Sequence, residues 1–537
     1  MKKLFAALAT VLMIGTTSTT IVACRKPIYD IEILLVPSKD PLEIESQLYT
    51  LNKQFQKVFS EVSGSNKKVG FKVSPDYNIA AYVLRSGQAA LGMIPVTTYY
   101  QKDIKESKSE SDRKMGTLFL STRTAVKTEL RAYGNIAADQ PASLEELNSL
   151  SKPMNDGGLE QDLSIDIKNE FNIAQEANKV YAQDANNIYY TEADKKSGEP
   201  IANATHYRST IFANRKYVEK RKNEVSNLSE GGKYNSRFES YFKPGTFDNN
   251  IIKEAYSKLD ENLNYDDSIT TKSGITSQEA HTIITLDLFC NSMENANTGV
   301  LGGAKVGLAS SATSGAGMVK PVESLVNNYI IQQKLDYGKD GTQTPEQEAN
   351  LKKANDFATE VLTGYSKAGG YATELPLKVK EGNLNIGVAF NDGRAELQLK
   401  NPNETYLKDT WMVTTSSGIM NDGMLYSKSF FRRNEISDPG EEVLEYPIKE
   451  GSIEVAKENM ETTGNHLLDS MRKSFLELMN TEEGLSVMRK IYSHEGYTPV
   501  KIDNYLKGTP EYDEQVKKAQ ESALNKVASE VALAINK

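Results

Sequence analysis

Three short apolar segments near the start of the chain, separated by helical patterns, constrain its fold more than any other feature. Ile28 to Val36 is rich in Ile, Leu and Val and reads as a strand. Val69 to Val73 reads as a second strand and Ala90 to Pro95 as a third. After the first strand, Asp40, Pro41 and Glu43 form a helix start signal. Ile44, Leu48, Leu51, Phe55, Val58, Phe59 and Val62 then recur at helical spacing up to Gly64. Asn78 to Arg85 reads as a short helix before the third strand. Strand, helix, strand, helix, strand implies a parallel sheet with right-handed crossovers. Ligands of such sheets bind at the carboxyl ends of the strands. That rule points to Ser38 and Asp40, to Asp76 and Tyr77, and to Thr97, Thr98 and Tyr99.

A second α/β unit begins near Lys305. Val306 to Ala309 reads as a strand, and a helix runs from Ala316 towards Gln333. Between them lies the turn Ser310-Ser311-Ala312-Thr313-Ser314-Gly315. A hydroxyl-rich turn at a helix start can hold an anion, because backbone N–H groups and the helix dipole point at it. The same turn is also compatible with an ordinary N-cap. Leu384 to Phe390 is another buried strand with Asn391-Asp392-Gly393 at its end, and Trp411 to Thr415 is one more. Helices are expected around His466 to Met479, Glu483 to Tyr492 and Glu514 to Ile535. Two long polar stretches, about 101–200 and 216–300, read as helical and loop insertions that decorate the fold without lining a ligand site.

At 537 residues the chain exceeds the range of a single growing core, so two or more domains are expected. Lys plus Arg is 63 and Asp plus Glu is 72, a net charge of −9. Such a chain has no reason to seek nucleic acid, whose phosphates demand cations. Two Cys and four His argue against a disulfide scaffold and a Cys/His metal centre. His206, His281, His466 and His494 form no metal-ligand spacing. Walker spacing and a nucleophile elbow are both absent, so no enzyme and no cofactor are expected. Tyr outnumbers Trp 27 to 1, which makes Tyr the main ring available for stacking.

The chain opens with Met1-Lys2-Lys3, an apolar run from Leu4 to Ile14, and small residues before Ile21-Val22-Ala23-Cys24. Two cations, a short apolar core and a small-residue cut describe a secretory signal over residues 1–23. Cys24 after Ala23 resembles a bacterial lipobox, with Ile21 in the place of the usual Leu. Cys24 is therefore expected to be lipidated, followed by a linker at 24–27. The protein is expected on the extracellular face of the cell membrane. Removing residues 1–23 takes away Lys2 and Lys3 and no acid, so the charge becomes −9 − 2 = −11.

Several blocks, in order, resemble the phosphate/phosphite/phosphonate-binding family of ABC transporter substrate-binding proteins. Val36-Pro37-Ser38-Lys39-Asp40-Pro41 is similar to the family's opening strand and loop. Ser74-Pro75-Asp76-Tyr77, Leu84-Arg85-Ser86-Gly87, Leu91-Gly92-Met93-Ile94 and Pro95 to Tyr99 resemble its second block. Tyr207-Arg208-Ser209 resembles the strand crossing to the second lobe. Ala312-Thr313-Ser314-Gly315 resembles its Ser-Thr-Ser-Gly turn, with Ala312 replacing the first Ser. Gly387 to Phe390 with Asp392-Gly393, and Glu482 to Tyr497, resemble its later blocks.

The resemblance implies an α/β, two-lobed, type II (Venus-flytrap) periplasmic-binding-protein fold with large helical and loop insertions. It implies a first lobe of 28–208 plus 410–537 and a second of 209–409. Two crossover strands link the lobes, and closure about them presents the liganded form to an ABC permease. The implied ligand is a small anion or zwitterion of phosphonate or phosphate type. Thiamine or its phosphate esters form the alternative, and a surface antigen or adhesin that kept the fold forms a third reading. Carried over residue by residue, the implied site is Ser38, Tyr77 and Tyr99 from the first lobe, and Thr313, Ser314 and Asp392 from the second. The tyrosines would offer ring faces and phenolic hydroxyls, Thr313 and Ser314 would hold an oxyanion, and Asp392 would accept a hydrogen bond from a protonated oxyanion or balance a ligand cation.

Overall fold

The structure is a computed structural model. It describes residues 29–37, 41–124, scattered positions between 168 and 178, 203–204, 206–234, 237–296, 305–338, 343–390, 393–401, 403–420, 422–434, 444–450, 453–460, 463–492, 494–499, 513, 516–517 and 520–537. Cys24, Ser38, Asp40 and Asp392 lie outside the described residues.

The first sheet is built on the expected strands. Ile31–Leu35 (β1) pairs in parallel with Val69–Val73 (β2) on one side and Leu91–Ile94 (β3) on the other. Gly423–Ser427 then runs antiparallel between β3 and Met115–Thr124, and His494–Pro499 closes the far edge. β1 is covered on both faces, with Ile31, Ile33, Leu34 and Leu35 buried, as its unbroken apolar run requires. The helix Pro41–Ser63 lays Ile44, Leu51, Phe55 and Phe59 on one face. Phe55 meets Phe71 and Phe475 at ring separations of 5.1 and 4.6 Å. The helix Tyr77–Ser86 starts where Asp76 accepts a 2.8 Å bond from the Ile79 amide. It stops at Gly87, whose φ of 75° suits a residue without Cβ.

The second sheet repeats this strand order. Gly307–Ala309 pairs in parallel with Ser366–Ala368, and a parallel bridge from Val306 to Ile386 joins it to Ile386–Phe390. Ser209–Asn214 runs antiparallel between Ile386–Phe390 and Thr410–Thr415. In both sheets a first strand has parallel neighbours on either side. An antiparallel strand arriving from the other lobe follows, and then the fourth strand. The short strands His206–Tyr207 and Ile419–Met420 pair antiparallel at the crossing between the lobes. This is the two-lobed α/β architecture the sequence implies.

The boundaries need correction. Thr410–Thr415 pairs with Ser209–Asn214, so the fourth strand of the second sheet falls in the stretch assigned to the first lobe. The terminal helix Ala523–Ile535 also leaves the first lobe. Its face of Leu524, Val527, Ala528, Val531 and Ala532 is buried in the second lobe's core, beside the helices Lys320–Gln333 and Pro345–Leu362.

Residues 216–300 are likewise not a decoration. The helix Ser277–Ala296 is buried along its middle, from Ala280 to Met293. Phe242 stacks on Phe247 at 4.0 Å, and Tyr329 stacks on Phe357 at 4.2 Å, within the same core. The stretch looked polar because its helices carry partnered polar groups. Arg221 forms a forked pair with Asp287 at 2.8 and 2.9 Å, and the Tyr256 hydroxyl donates to the same carboxylate at 2.8 Å. Part of 101–200 is structural too. Met115–Thr124 is a central strand, and Asn178 exchanges two 2.9 Å bonds with the Met412 backbone, where the strand Thr410–Thr415 bulges. No helix among the described residues is long and apolar enough to cross a membrane.

Candidate ligand-binding cleft

The strand rule is satisfied in both lobes at once. A cavity of about 500 Å³ lies between them, at the carboxyl ends of β1 and β2 and of Gly307–Ala309 and Ser366–Ala368. The first lobe lines it with Pro37, after β1, and with Pro75, Asp76 and Tyr77, after β2. From the second lobe come Ser310, Ser311 and Ser314, after one strand, and Gly370, Tyr371, Thr373 and Glu374, after the other. Corresponding loops of the two repeated sheets therefore face each other.

Ser314 is the best-defined polar group of the wall. It is buried and caps the turn Gly315–Val319, where its Oγ accepts a 3.2 Å bond from the Gly317 amide. The hydroxyl proton stays available for donation into the cleft. Helical structure continues through Lys320–Gln333, so the turn carries the positive end of a long helix. The amides of Gly315 and Ala316, in its first turn, have no hydrogen-bond partner among the described residues. Glycine is required at 317. A Cβ there would stand 2.5 Å from the Ala309 Cβ and 2.8 Å from the Ser314 Oγ.

Tyr77 and Tyr371 bring rings from opposite lobes. Burial pushes the Tyr77 hydroxyl well above the usual phenol range, and Tyr371, Asp422, Tyr207 and Tyr492 act in the same direction. It stays a neutral donor at any physiological pH. The lining includes the carboxylates Asp76 and Glu374, and no Lys or Arg among the described residues. Glu374 pairs with Lys378 at 2.5 Å, while Asp76 caps its own helix. An oxyanion placed here would meet hydroxyls and backbone amides, with no Lys or Arg among the described lining residues.

The structure brings Tyr77 and Ser314 to this cavity and places two other expected residues elsewhere. The Thr313 hydroxyl lies 3.0 Å from the Ser311 hydroxyl, and its carbonyl oxygen accepts a 3.1 Å bond from Thr97 Oγ1. Thr313 therefore sits at the seam between the lobes. Tyr99 points into the first lobe, where its hydroxyl donates to Asp513 at 3.0 Å and Asp513 pairs with Arg113. The cause is local. Val96–Tyr99 turns helical directly after β3, which swings Tyr99 away from the strand end. Ser38 and Asp392 fall outside the described residues. Sequence reasoning missed Tyr371, Thr373 and Glu374. The signal available was Gly369-Gly370 directly after a strand, a turn that lets the chain approach the cleft.

No protein-family model matches the chain, and no curated protein does. The chain is weakly similar to several solved structures. One is a binding protein component of an ABC phosphonate transporter from Pseudomonas aeruginosa, 10% identical over 89% of this chain and 82% of that one, with a TM-score of 0.37. Another is a protein from Xanthomonas citri bound to ATP, 10% identical over 93% of this chain and 98% of that one, TM-score 0.37. A third is a Prochlorococcus marinus protein in complex with methylphosphonate, 9% identical over 91% and 98%, TM-score 0.37. The repeated strand order, not these likenesses, defines the class: a two-lobed α/β binding-protein fold with its cleft at the strand ends.

Proposed function

We propose that the chain is the solute-binding component of an ABC importer. In this reading Cys24 is lipidated, the protein sits on the outer face of the cell membrane, and closure on the ligand presents the two lobes to a permease. The observation that carries the proposal is the cleft itself. Equivalent loops of two repeated sheets converge on one cavity, and one of them offers the Ser314 hydroxyl and the first-turn amides of a long helix.

The favoured ligand carries a phosphate or phosphonate group at the Ser310–Ser314 turn and an organic portion between Tyr77 and Tyr371. Asp76 and Glu374, with no lining cation among the described residues, favour within that class a ligand whose organic portion is positively charged. Thiamine phosphate esters have that chemistry, and small phosphonates have only its anionic half. Native mass spectrometry of the purified protein tests the proposal. A co-purified phosphorus-containing small molecule at one per chain is expected. A chain that carries nothing, and gains no mass with any phosphate or phosphonate offered, favours an adhesin that has kept the fold.

A further inference from the structure

A second cavity, of about 840 Å³, opens on the second lobe and is unrelated to the cleft. Its place follows from the sheet. Lys305 and Asn385 lie just before the parallel strands Gly307–Ala309 and Ile386–Phe390, and Lys216 lies just after the antiparallel strand Ser209–Asn214. All three therefore stand at the amino ends of the parallel strands, the pole opposite the ligand cleft.

Four cations line this cavity: Lys216, Lys220, Arg221 and Lys305. Lys216 and Lys220 are one turn apart on the helix Arg215–Ser226 and share a face. Arg221 is fixed beneath them by its forked pair with Asp287. Lys216 and Lys305 have no carboxylate within ion-pair distance among the described residues. Two carboxylates also line the space. Glu224 lies 3.7 Å from Lys220 and 3.5 Å from Arg221, and Glu294 accepts from the Arg237 amide at 3.3 Å. The cations gathered on this one cavity repel one another, and a bound anion relieves that repulsion. Buried Asn249 and Asn291 in the wall add polar surface, and the Tyr234 hydroxyl beneath it has no hydrogen-bond partner among the described residues.

We propose that this polar cavity is a second anion site that takes a compact phosphate ester. Lys216 and Lys305 close on it from two sides, and Lys220 adds charge at the rim. The chemistry fits a free phosphate ester and the phosphate headgroup of a lipid equally. It does not depend on what the ligand cleft binds.

The test is site-resolved amine acetylation of the purified protein, read by mass spectrometry with inorganic pyrophosphate, with glycerol 3-phosphate, and with vesicles containing phosphatidic acid. Lys216, Lys220 and Lys305 should be labelled about fivefold more slowly with a bound anion, while exposed Lys352 on the helix Pro345–Leu362 is unchanged. Protection by glycerol 3-phosphate identifies a free ester, and protection by vesicles alone identifies a lipid headgroup. Replacing Lys216→Gln and Lys305→Gln together should raise the half-protecting concentration, read at Lys220, about tenfold. Ser314→Ala, in the other cavity, should leave it unchanged. Protection by none of the three, or protection indifferent to the double replacement, overturns the proposal.

Discussion

The Thr97 hydroxyl donates a 3.1 Å hydrogen bond to the carbonyl oxygen of Thr313, across the seam between the lobes. One partner follows the third strand of the first sheet and the other belongs to the hydroxyl-rich turn of the second. Gly315 lies against the same Thr97, with its Cβ position 3.5 Å from the threonine methyl. The turn that would hold the anion is thus latched directly to the opposite lobe. Thr97→Val keeps the shape and removes the donor. It should weaken ligand binding about three- to tenfold, on the scale of one hydrogen bond of roughly 1 kcal/mol. Stopped-flow titration should place that loss in the dissociation rate.

Ser314→Ala removes both a cap and a ligand donor. The cap is worth about 1 kcal/mol of stability and a hydrogen bond to a charged oxyanion about 1.5–3 kcal/mol. Affinity should therefore fall about 10- to 100-fold while the urea midpoint shifts only modestly. Thr313→Val should cost less, because the Thr313 hydroxyl is turned towards Ser311. Equal losses in the two variants would show that the hydroxyls act together as one unit.

His281 predicts an acid limit. Burial pulls its pKa down to about 4, against the 2.9 Å contact of its Nε2 with the Val413 carbonyl, and it packs on Phe171 and Tyr265. The folded chain keeps the ring neutral, whereas the unfolded chain takes up a proton near pH 6.5. Below that value the unfolded state binds the extra proton first, so stability falls between about pH 6.5 and 4 and nothing is lost above. The full effect is on the order of 3 kcal/mol. Urea unfolding of wild type and His281→Gln across this range should show a shallower acid slope in the variant.

Asp513 ties the end of the chain to the first lobe. It is buried, accepts from Tyr99 and pairs with Arg113, while Tyr100 donates to Glu521 at 3.1 Å. Only a few residues later the helix Ala523–Ile535 is buried in the second lobe. Asp513→Ala leaves Arg113 largely enclosed without its carboxylate and should destabilise the protein by about 3 kcal/mol. Thermal unfolding should record it, and Glu521→Gln, nearer the surface, should record much less.

The sheets were legible because their strands are short, mostly apolar and largely buried. β1, β2, β3 and Ile386–Phe390 lie within three residues of where the sequence places them. Tyr77 and Ser314 were legible for a related reason: strand ends and helix starts follow from local pattern. Tyr99 was not, because the strand signal does not show that the chain turns helical directly after β3, and Asp513, the partner its hydroxyl then meets, lies hundreds of residues away. The region 216–300 misled for another reason. Asp287, His281 and Arg221 are charged or polar in the sequence and buried in the fold, each with a partner that no local window contains. The terminal helix belongs to the second lobe through packing at long range, which its own amphipathic face does not specify.

The central claim is that a phosphate- or phosphonate-bearing ligand sits between the lobes, with its anion at Ser314 and its organic part at Tyr77. Calorimetric titration of wild type, Ser314→Ala and Tyr77→Ala against phosphate, methylphosphonate, thiamine and thiamine pyrophosphate tests it most directly. Wild type should bind at least one of the phosphorus-bearing ligands at one per chain. Ser314→Ala should weaken every such ligand, and Tyr77→Ala should weaken thiamine pyrophosphate more than methylphosphonate, since only the former loses a stacked face. No binding by wild type, or undiminished binding by Ser314→Ala, would contradict the claim.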